Sequence, residues 1–507
     1  MFLDLDVGDL VEPLSGRRWD KAETARQVRL RAARFKKMGL LPGERVFILF
    51  GNKPEFFAEL LAAWRLGACA VPVDSRLTPF EVENLAKAAT PKVAVVDVAS
   101  SPPQTAEALT RLGVGVVETQ ETSDGEHLAA DVRLEQDALM LFTSGSTGEP
   151  KGVVHTHRSL RARWVSLRDH LGLAPFKRTL CMLPTHFGHG LICNCLFPWL
   201  SGQDLYIAPP FRHELVMRLG KLVDDNNITF FSSVPAMWRL ALKLARPPEK
   251  RTLQRVHCGS APLSAHMWED IRRWAATRNV CNAYGITETG SWVAGLADAT
   301  VPSEDGLIGH GWGAVIRVLR SNEVSDLAAP ELVCDVGEEG FVWLNTPALM
   351  KGYFNRDDLT SDNVANGWFR TGDKGFLDER GWLVLRGRVR DEINKGGMKV
   401  FPSDVDCVVE RFEATLDVCT FPIDDPLYGQ NIGMAVVLSD AGEDTIRGLH
   451  AWMKEHLAEP KLPVRWWLVD EIPRTSRGKL NRDSVKALCQ DKTPLDLAGI
   501  LAGGSAR

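Results

Sequence analysis

The chain has 507 residues, room for about two to five domains, with 45% hydrophobic and 25% charged residues. That balance excludes a disordered, collagen-like or coiled-coil chain. Its 60 basic and 65 acidic residues leave a formal net charge of −5, so no global field argues for nucleic acid or an anionic membrane surface.

Taken in chain order, the start carries Asp4, Asp6, Asp9 and Glu12 before its first basic residue, Arg17. A secretory signal needs the reverse, a basic start and then an apolar run. Residues 44–50 (ERVFILF) read as a buried strand, and 54–68 as a helix with Phe57, Leu60, Leu61 and Trp64 on one face. The runs 68–73 and 92–98 have strand length, and the alternation predicts α/β layers. No stretch reaches the roughly 18 apolar residues of a membrane span. The best candidate, Phe56 to Val73, is broken by Glu59 and Arg65. The 10 cysteines include no CxxC pair, Cys193 and Cys195 being the nearest spacing, and read as free buried thiols of a reducing cytosol. Residues 368–397 mix turns, short strands and charges, a β-rich stretch leading to a domain boundary. Residues 400–490 alternate shorter strands and helices, and the last 17, from Asp491, read as a tail.

The most specific segment is LFTSGSTGEPKGVVHTHRSL, residues 141–160. An apolar strand precedes Thr143, Ser144, Gly145, Ser146, Thr147 and Gly148, and Lys151 follows. Glycines let consecutive N–H groups converge on an anion, hydroxyls add donors and the lysine adds a point charge. A polyphosphate needs that set. The order is not that of a Walker loop, because Lys151 precedes Gly152 rather than following a glycine and preceding Ser or Thr.

TSGSTGEPKG resembles the phosphate-loop signature of the adenylate-forming superfamily, which includes acyl-CoA synthetases, adenylation domains and firefly-type luciferases. Further segments follow in the family's order, from about residue 20 to residue 485. GSAPLS (259–264) is similar to its adenine-side loop, with Gly259, Ser260, Ala261 and Pro262; Ser264 would also cap a helix. AYGITETG (283–290) is similar to its Tyr-Gly-x-Thr-Glu motif. The resemblance gives Tyr284 and Gly285 to the nucleotide, Thr287 to a phosphate oxygen and Glu288 to Mg2+, which prefers hard oxygen ligands. RTGD (370–373) and the following GR resemble the ribose motif, with Asp373 accepting from two hydroxyls and Arg388 also reaching the nucleotide. PRTSRGKLNR (473–482) resembles the segment bearing the catalytic lysine, here Lys479.

PTHFGHGL (184–191) lies where the family lines its acyl pocket, and there the pattern departs. A gapless match puts Phe187 on the family's histidine position, leaving His186 and His189 each open to a pocket or a structural role. Gly190, Ser233, Trp238 and Trp292 fall in neighbouring pocket segments. No Asp lies between Pro184 and Leu200 to pair a substrate ammonium, which disfavours α-amino acids and leaves Asp204 as a loose end. The hinge position falls on Arg390, and Gly396 and Gly397 would approach a pantetheine tunnel.

The resemblance implies an α/β fold: a large layered N-terminal domain (1–389) of mostly parallel sheets, helices and a distorted β-barrel, then a smaller α+β domain (390–490) and a tail (491–507). It implies a cytoplasmic acid–thiol ligase using ATP, Mg2+ and CoA. The acid would become an acyl-adenylate with release of pyrophosphate, then pass to the thiol of CoA or of a carrier-protein pantetheine. An amide-forming ligase and a non-catalytic nucleotide binder are the alternatives; intact Lys151, Glu288, Asp373 and Lys479 argue against the second.

Overall fold

The computed structural model describes residues 6–124, 131–144, 150–210, 213–296, 300–323, 329–396, 398–475 and 479–502. The early apolar runs form strands Arg45–Leu49, Cys69–Pro72 and Val93–Val96, which pair in parallel. Their residues are buried on both faces, which is why they read as unbroken apolar runs rather than alternating ones. Strand Asp137–Ser144 joins that sheet in parallel beside Cys69–Pro72 and returns antiparallel as Pro150–Thr156.

A second sheet has a parallel half and an antiparallel half. Strands Asp204–Ile207, Arg178–Cys181, Phe230–Ser233, Arg255–Gly259 and Val280–Ile286 run parallel. From Val280–Ile286 the order continues antiparallel through Ser291–Gly295, Leu307–Gly311, Leu383–Arg388, Trp368–Leu377, Gly340–Asn345 and Val315–Leu319. The expected distorted barrel is corrected here: among the described residues this antiparallel row ends at Val315–Leu319 and does not close on itself. The sheets are mixed rather than mostly parallel.

The largest core joins one face of each large sheet through helices Lys21–Lys37, Pro54–Arg65 and His157–Leu171. Glu59, which interrupts the longest apolar run, is fully buried inside it. Arg31 and Arg34 donate to its carboxylate at 3.0 and 2.5 Å and Thr119 at 3.2 Å, so the charge is paired where it is buried. A second core lies on the other face of the second sheet, under helices Leu219–Asn226, Pro235–Leu244 and Ala265–Ala275.

The C-terminal unit is a smaller sheet built on the long hairpin Thr415–Asp425 and Gly429–Leu438. Helices Pro402–Val409 and Glu443–His456 cover one face and Arg482–Gln490 the other. Residues 491–502, read from sequence as a tail, dock on this unit. Leu495, Leu497 and Ile500 pack against its core, and Arg447 Nε donates to the Ile500 carbonyl at 2.9 Å. No helix among the described residues is long and apolar enough to cross a membrane.

Candidate active site

The motif residues gather at the C-terminal ends of the parallel strands, where the second sheet changes from parallel to antiparallel. Open α/β sheets bind ligands outside the carboxyl ends of their parallel strands. Strand Arg255–Gly259 delivers Ser260 at its end, and Val280–Ile286 delivers Tyr284 and then the turn Thr287–Thr289. Ser260 has a left-handed φ of 67°, an unusual conformation for a residue with a side chain. Ser264 caps helix Ala265–Ala275, accepting from Met267 N at 3.3 Å.

The antiparallel half supplies the opposite wall. Register places Asp373 directly beside Arg388 on the next strand. Arg388 Nε lies 2.7 Å from Asp373 Oδ1, and the Tyr284 hydroxyl donates to Asp373 Oδ2 at 2.5 Å. Burial and the facing carboxylate push the Tyr284 phenol well above its ordinary pKa, so it stays a donor. The Asp373 charge likewise raises Arg388. Asp373 thus sits buried and oriented by two donors, with lone pairs left for a further one.

Glu288 is held similarly. The Tyr353 hydroxyl donates to Glu288 Oε1 at 2.8 Å, and Lys151 Nζ lies 5.8 Å from the centre of the same tyrosine ring. Thr143 pairs with Lys151 across the hairpin Asp137–Ser144 and Pro150–Thr156. Gly145, Ser146, Thr147 and Gly148 lie outside the described residues, as does the side chain of Ser144. The Thr287 carbonyl accepts from His155 Nε2 at 2.7 Å. Burial lowers the pKa of His155 to about 4, so it is neutral near pH 7. Sequence reasoning missed Tyr353 and His155; the only signal was their place in apolar strands that flank motifs.

The expected acyl-pocket residues divide between two faces of the sheet. Phe187, His189 and Trp292 come together: the His189 ring lies 5.8 Å from Phe187 and 5.7 Å from Trp292. His189 opens a π-helix, His189–Leu196, a winding frequent at functional sites. Its Nδ1 is 2.7 Å from Ser260 Oγ and its Nε2 2.5 Å from Ser232 Oγ; one ring nitrogen donates and the other accepts. Burial, and then the charge of Lys479, lower its pKa to about 3. Gly190 packs so closely that an added Cβ would stand 2.6 Å from the Pro184 carbonyl oxygen.

Ser233 and Trp238 belong to the opposite face. Trp238 Nε1 donates to Ser233 Oγ at 2.7 Å, and Trp238 is part of the second core. Side chains alternate along a strand, so Ser232 rather than Ser233 faces His189. His186 pairs instead with Asp74, its Nε2 3.4 Å from Asp74 Oδ2. Asp204 Oδ1 accepts from the Asp9 amide at 3.2 Å, where strand Asp204–Ile207 meets strand Leu10–Val11.

The smaller unit presents Lys479 to this cluster, with Nζ 5.6 Å from the centre of the Phe187 ring. Arg390 is exposed in the turn Val389–Asp391 between the two units. Gly396, with φ of 59°, sits against Tyr428 of its own unit and donates to the Tyr428 carbonyl at 2.9 Å. Gly397 lies outside the described residues. A cavity of about 490 Å³ separates the units, lined among others by Pro184, Arg239, Lys243, Asp417, Arg474 and Thr475. Tyr284, Asp373 and Arg388 do not line it.

Comparison with known proteins gives a consistent assignment. The AMP-binding enzyme family matches residues 10–354, and the AMP-binding enzyme C-terminal domain matches residues 404–479. A long-chain-fatty-acid–CoA ligase of Mycobacterium tuberculosis is 28% identical over 459 residues, 87% of this chain and 88% of that protein. A feruloyl-CoA synthase of an Amycolatopsis species is 29% identical over 482 residues, 92% of this chain and 93% of the other. Among solved structures, the o-succinylbenzoate CoA synthetase of Bacillus subtilis, in complex with its acyl-adenylate intermediate, superposes with a TM-score of 0.83 at 24% identity, covering 95% of this chain and 96% of that one.

Proposed function

The chain belongs to the AMP-binding enzyme family, and on that premise we propose that it is an acid–thiol ligase. It joins a carboxylic acid to AMP and then passes the acyl group to the thiol of CoA. In the first half the acid's carboxylate oxygen bonds to the α-phosphorus of ATP and the bond to pyrophosphate breaks. In the second a thiolate bonds to the acyl carbon and AMP leaves. No side-chain nucleophile is needed, and burial pushes the thiols of Cys193 and Cys258 up to about 11 and about 12.

The observation that carries this assignment is the meeting of Lys479 with the Phe187–His189–Trp292 cluster, beside the Tyr284–Asp373–Arg388 constellation. A carboxylate attacking a polyanion needs its charge neutralised in the transition state, and Lys479 brings a cation to the acyl side. Asp373 and Arg388 hold the ribose, and Tyr284 offers its face to adenine. Thr143, Lys151 and Thr287 meet the phosphates. Neutral His189, flanked by two hydroxyls, forms a polar floor under an aromatic acyl wall.

The donor set suits Mg2+. Glu288 supplies one oriented carboxylate, and no group of three His, Cys, Asp or Glu is clustered among the described residues. One or two carboxylates with phosphate oxygens are the usual ligands of Mg2+. When bound there it supplies charge neutralisation to the phosphates. The free thiols, most of them buried, favour a cytoplasmic setting.

The test is pyrophosphate release across a panel of aryl and medium-chain acids, with CoA, a pantetheinylated carrier protein and hydroxylamine as acceptors. Release with one acid class and turnover on CoA is the expected result. Turnover with amines but neither thiol would replace the ligase with an amide-forming enzyme.

A further inference from the structure

Arg239 lies on helix Pro235–Leu244 of the large unit, and its side chain is only 17% exposed. It pairs with two carboxylates of the small unit, Glu410 and Asp417; its Nε is 3.3 Å from Asp417 Oδ1. Asp417 is shared. Arg474 donates to its two oxygens at 2.8 and 3.0 Å. Arg474 pairs in an antiparallel bridge with Leu480, the residue next to Lys479. Thr475, next to Arg474, closes the same loop: its amide donates to the Lys479 carbonyl at 2.9 Å and its Oγ1 accepts from the Lys479 amide at 3.1 Å. A continuous line of charge-assisted bonds therefore runs from the large unit to the base of the loop that carries Lys479. Arg411 and Asp305 add a second ion pair across the same boundary.

We infer that Arg239 is a positioning residue for Lys479, acting through Asp417 and Arg474 to hold the small unit in the arrangement that forms the acyl-adenylate. This rests on the ligase assignment for its kinetic consequence and on the described geometry for its structural one. The thiol-transfer half has no use for Lys479 at the acid, so the clasp serves one half-reaction and must open for the other.

The kinetic test measures the half-reactions of the full chain separately: pyrophosphate release without acceptor, and transfer from pre-formed acyl-adenylate to CoA. Arg239→Gln and Asp417→Asn should each slow pyrophosphate release about tenfold or more, the factor that about 1.4 kcal/mol corresponds to. Transfer should hold or rise, and Arg239→Lys should recover most of the loss. Equal loss in both halves, or none in the first, would overturn the role. A misfolded variant would lose both, so retained transfer is its own control.

A second measurement needs no turnover. Cysteines introduced by Asp305→Cys and Arg411→Cys, bridged by a short bis-maleimide against single-substitution controls, should cross-link less when Arg239→Gln is added. An unchanged yield overturns the clasp. Parent chain inactive on every acid, with a yield that still falls, refutes the ligase assignment and leaves the clasp standing.

Discussion

Four buried histidines make stability fall steeply in mild acid. His155, His157, His189 and His257 are between 0% and 5% exposed. Burial lowers the first two to about 4 and His189 to about 3, and holds His257 well below its ordinary value. The unfolded chain binds a proton on each near the usual pKa of about 6.5, whereas the folded chain does not until several tenfold steps lower. Between those limits the unfolded state carries the extra protons, so stability is full above about pH 6.5 and is lost as pH falls. Each histidine loses about 1.4 kcal/mol by pH 5.5, and four lose roughly 6 kcal/mol, the size of a whole domain's net stability. Carboxylates whose pKa values are lowered on folding, such as Glu23 (to about 2), lose stability only below about pH 4.5, so they do not share this window. The assay is urea unfolding at constant ionic strength from pH 8 to pH 5, with His189→Gln as the variant. The midpoint should fall through the window, and the variant, which has one titrating group fewer, should show a shallower slope. A flat profile from pH 7 to pH 5, or an identical slope in the variant, would refute the assignment of buried neutral rings.

Lys479→Ala should slow acyl-adenylate formation about 10²–10³-fold, as for loss of one preorganised transition-state donor, while transfer from pre-formed acyl-adenylate survives; pyrophosphate release and single-turnover transfer measure the two. Asp373→Ala should raise the KM for ATP and leave the ranking of acids unchanged, read from the same acid panel. Gly285→Ala should unfold the site: its Cβ would stand 1.9 Å from the Ser291 carbonyl oxygen and 2.8 Å from the Trp292 amide, both backbone that cannot step aside. A loss above about 4 kcal/mol is expected, seen as a drop in unfolding midpoint, because the bulge beside Tyr284 must break.

Much of the site was legible because its residues lie close along the chain or at strand ends. Thr143 and Lys151 face each other across one hairpin, and Asp373 and Arg388 lie on adjacent strands of another, so short spacing was enough to pair them. The acyl wall was legible only in part. Period two along Phe230–Ser233 decides between Ser232 and Ser233, but which face meets His189 depends on a helix 40 residues away in sequence, and that is a tertiary fact. The order of three ring-bearing residues in PTHFGHGL did not fix their directions either. The π-helix turns His189 inward, while His186 faces Asp74. The barrel was expected from resemblance alone, and strand-length patterns hold no information on whether an antiparallel row closes. The terminal helix Leu497–Ala502 was missed because its few apolar residues look like a tail until Arg447 and the small core are in place.

The division of labour between the units follows from where each charge is tethered. Asp373 takes its partners, Tyr284 and Arg388, from the large unit, as Glu288 does with Tyr353 and the nearby Lys151. Both constellations are built within the large unit, so on the proposed assignment nucleotide recognition need not change between half-reactions. Lys479 is different: it belongs to the small unit, which meets the large one through ion pairs that cross the boundary. On the proposed assignment, withdrawing the small unit would remove one cation from the acyl side and leave the residues proposed to hold AMP in the large unit. A ligase that must keep an acyl-adenylate bound while exchanging its catalytic cation for a thiol needs that asymmetry. On the same reading a chain with net charge −5 would meet a polyanion with cations supplied locally, Lys151 from the large unit and Lys479 from the small one.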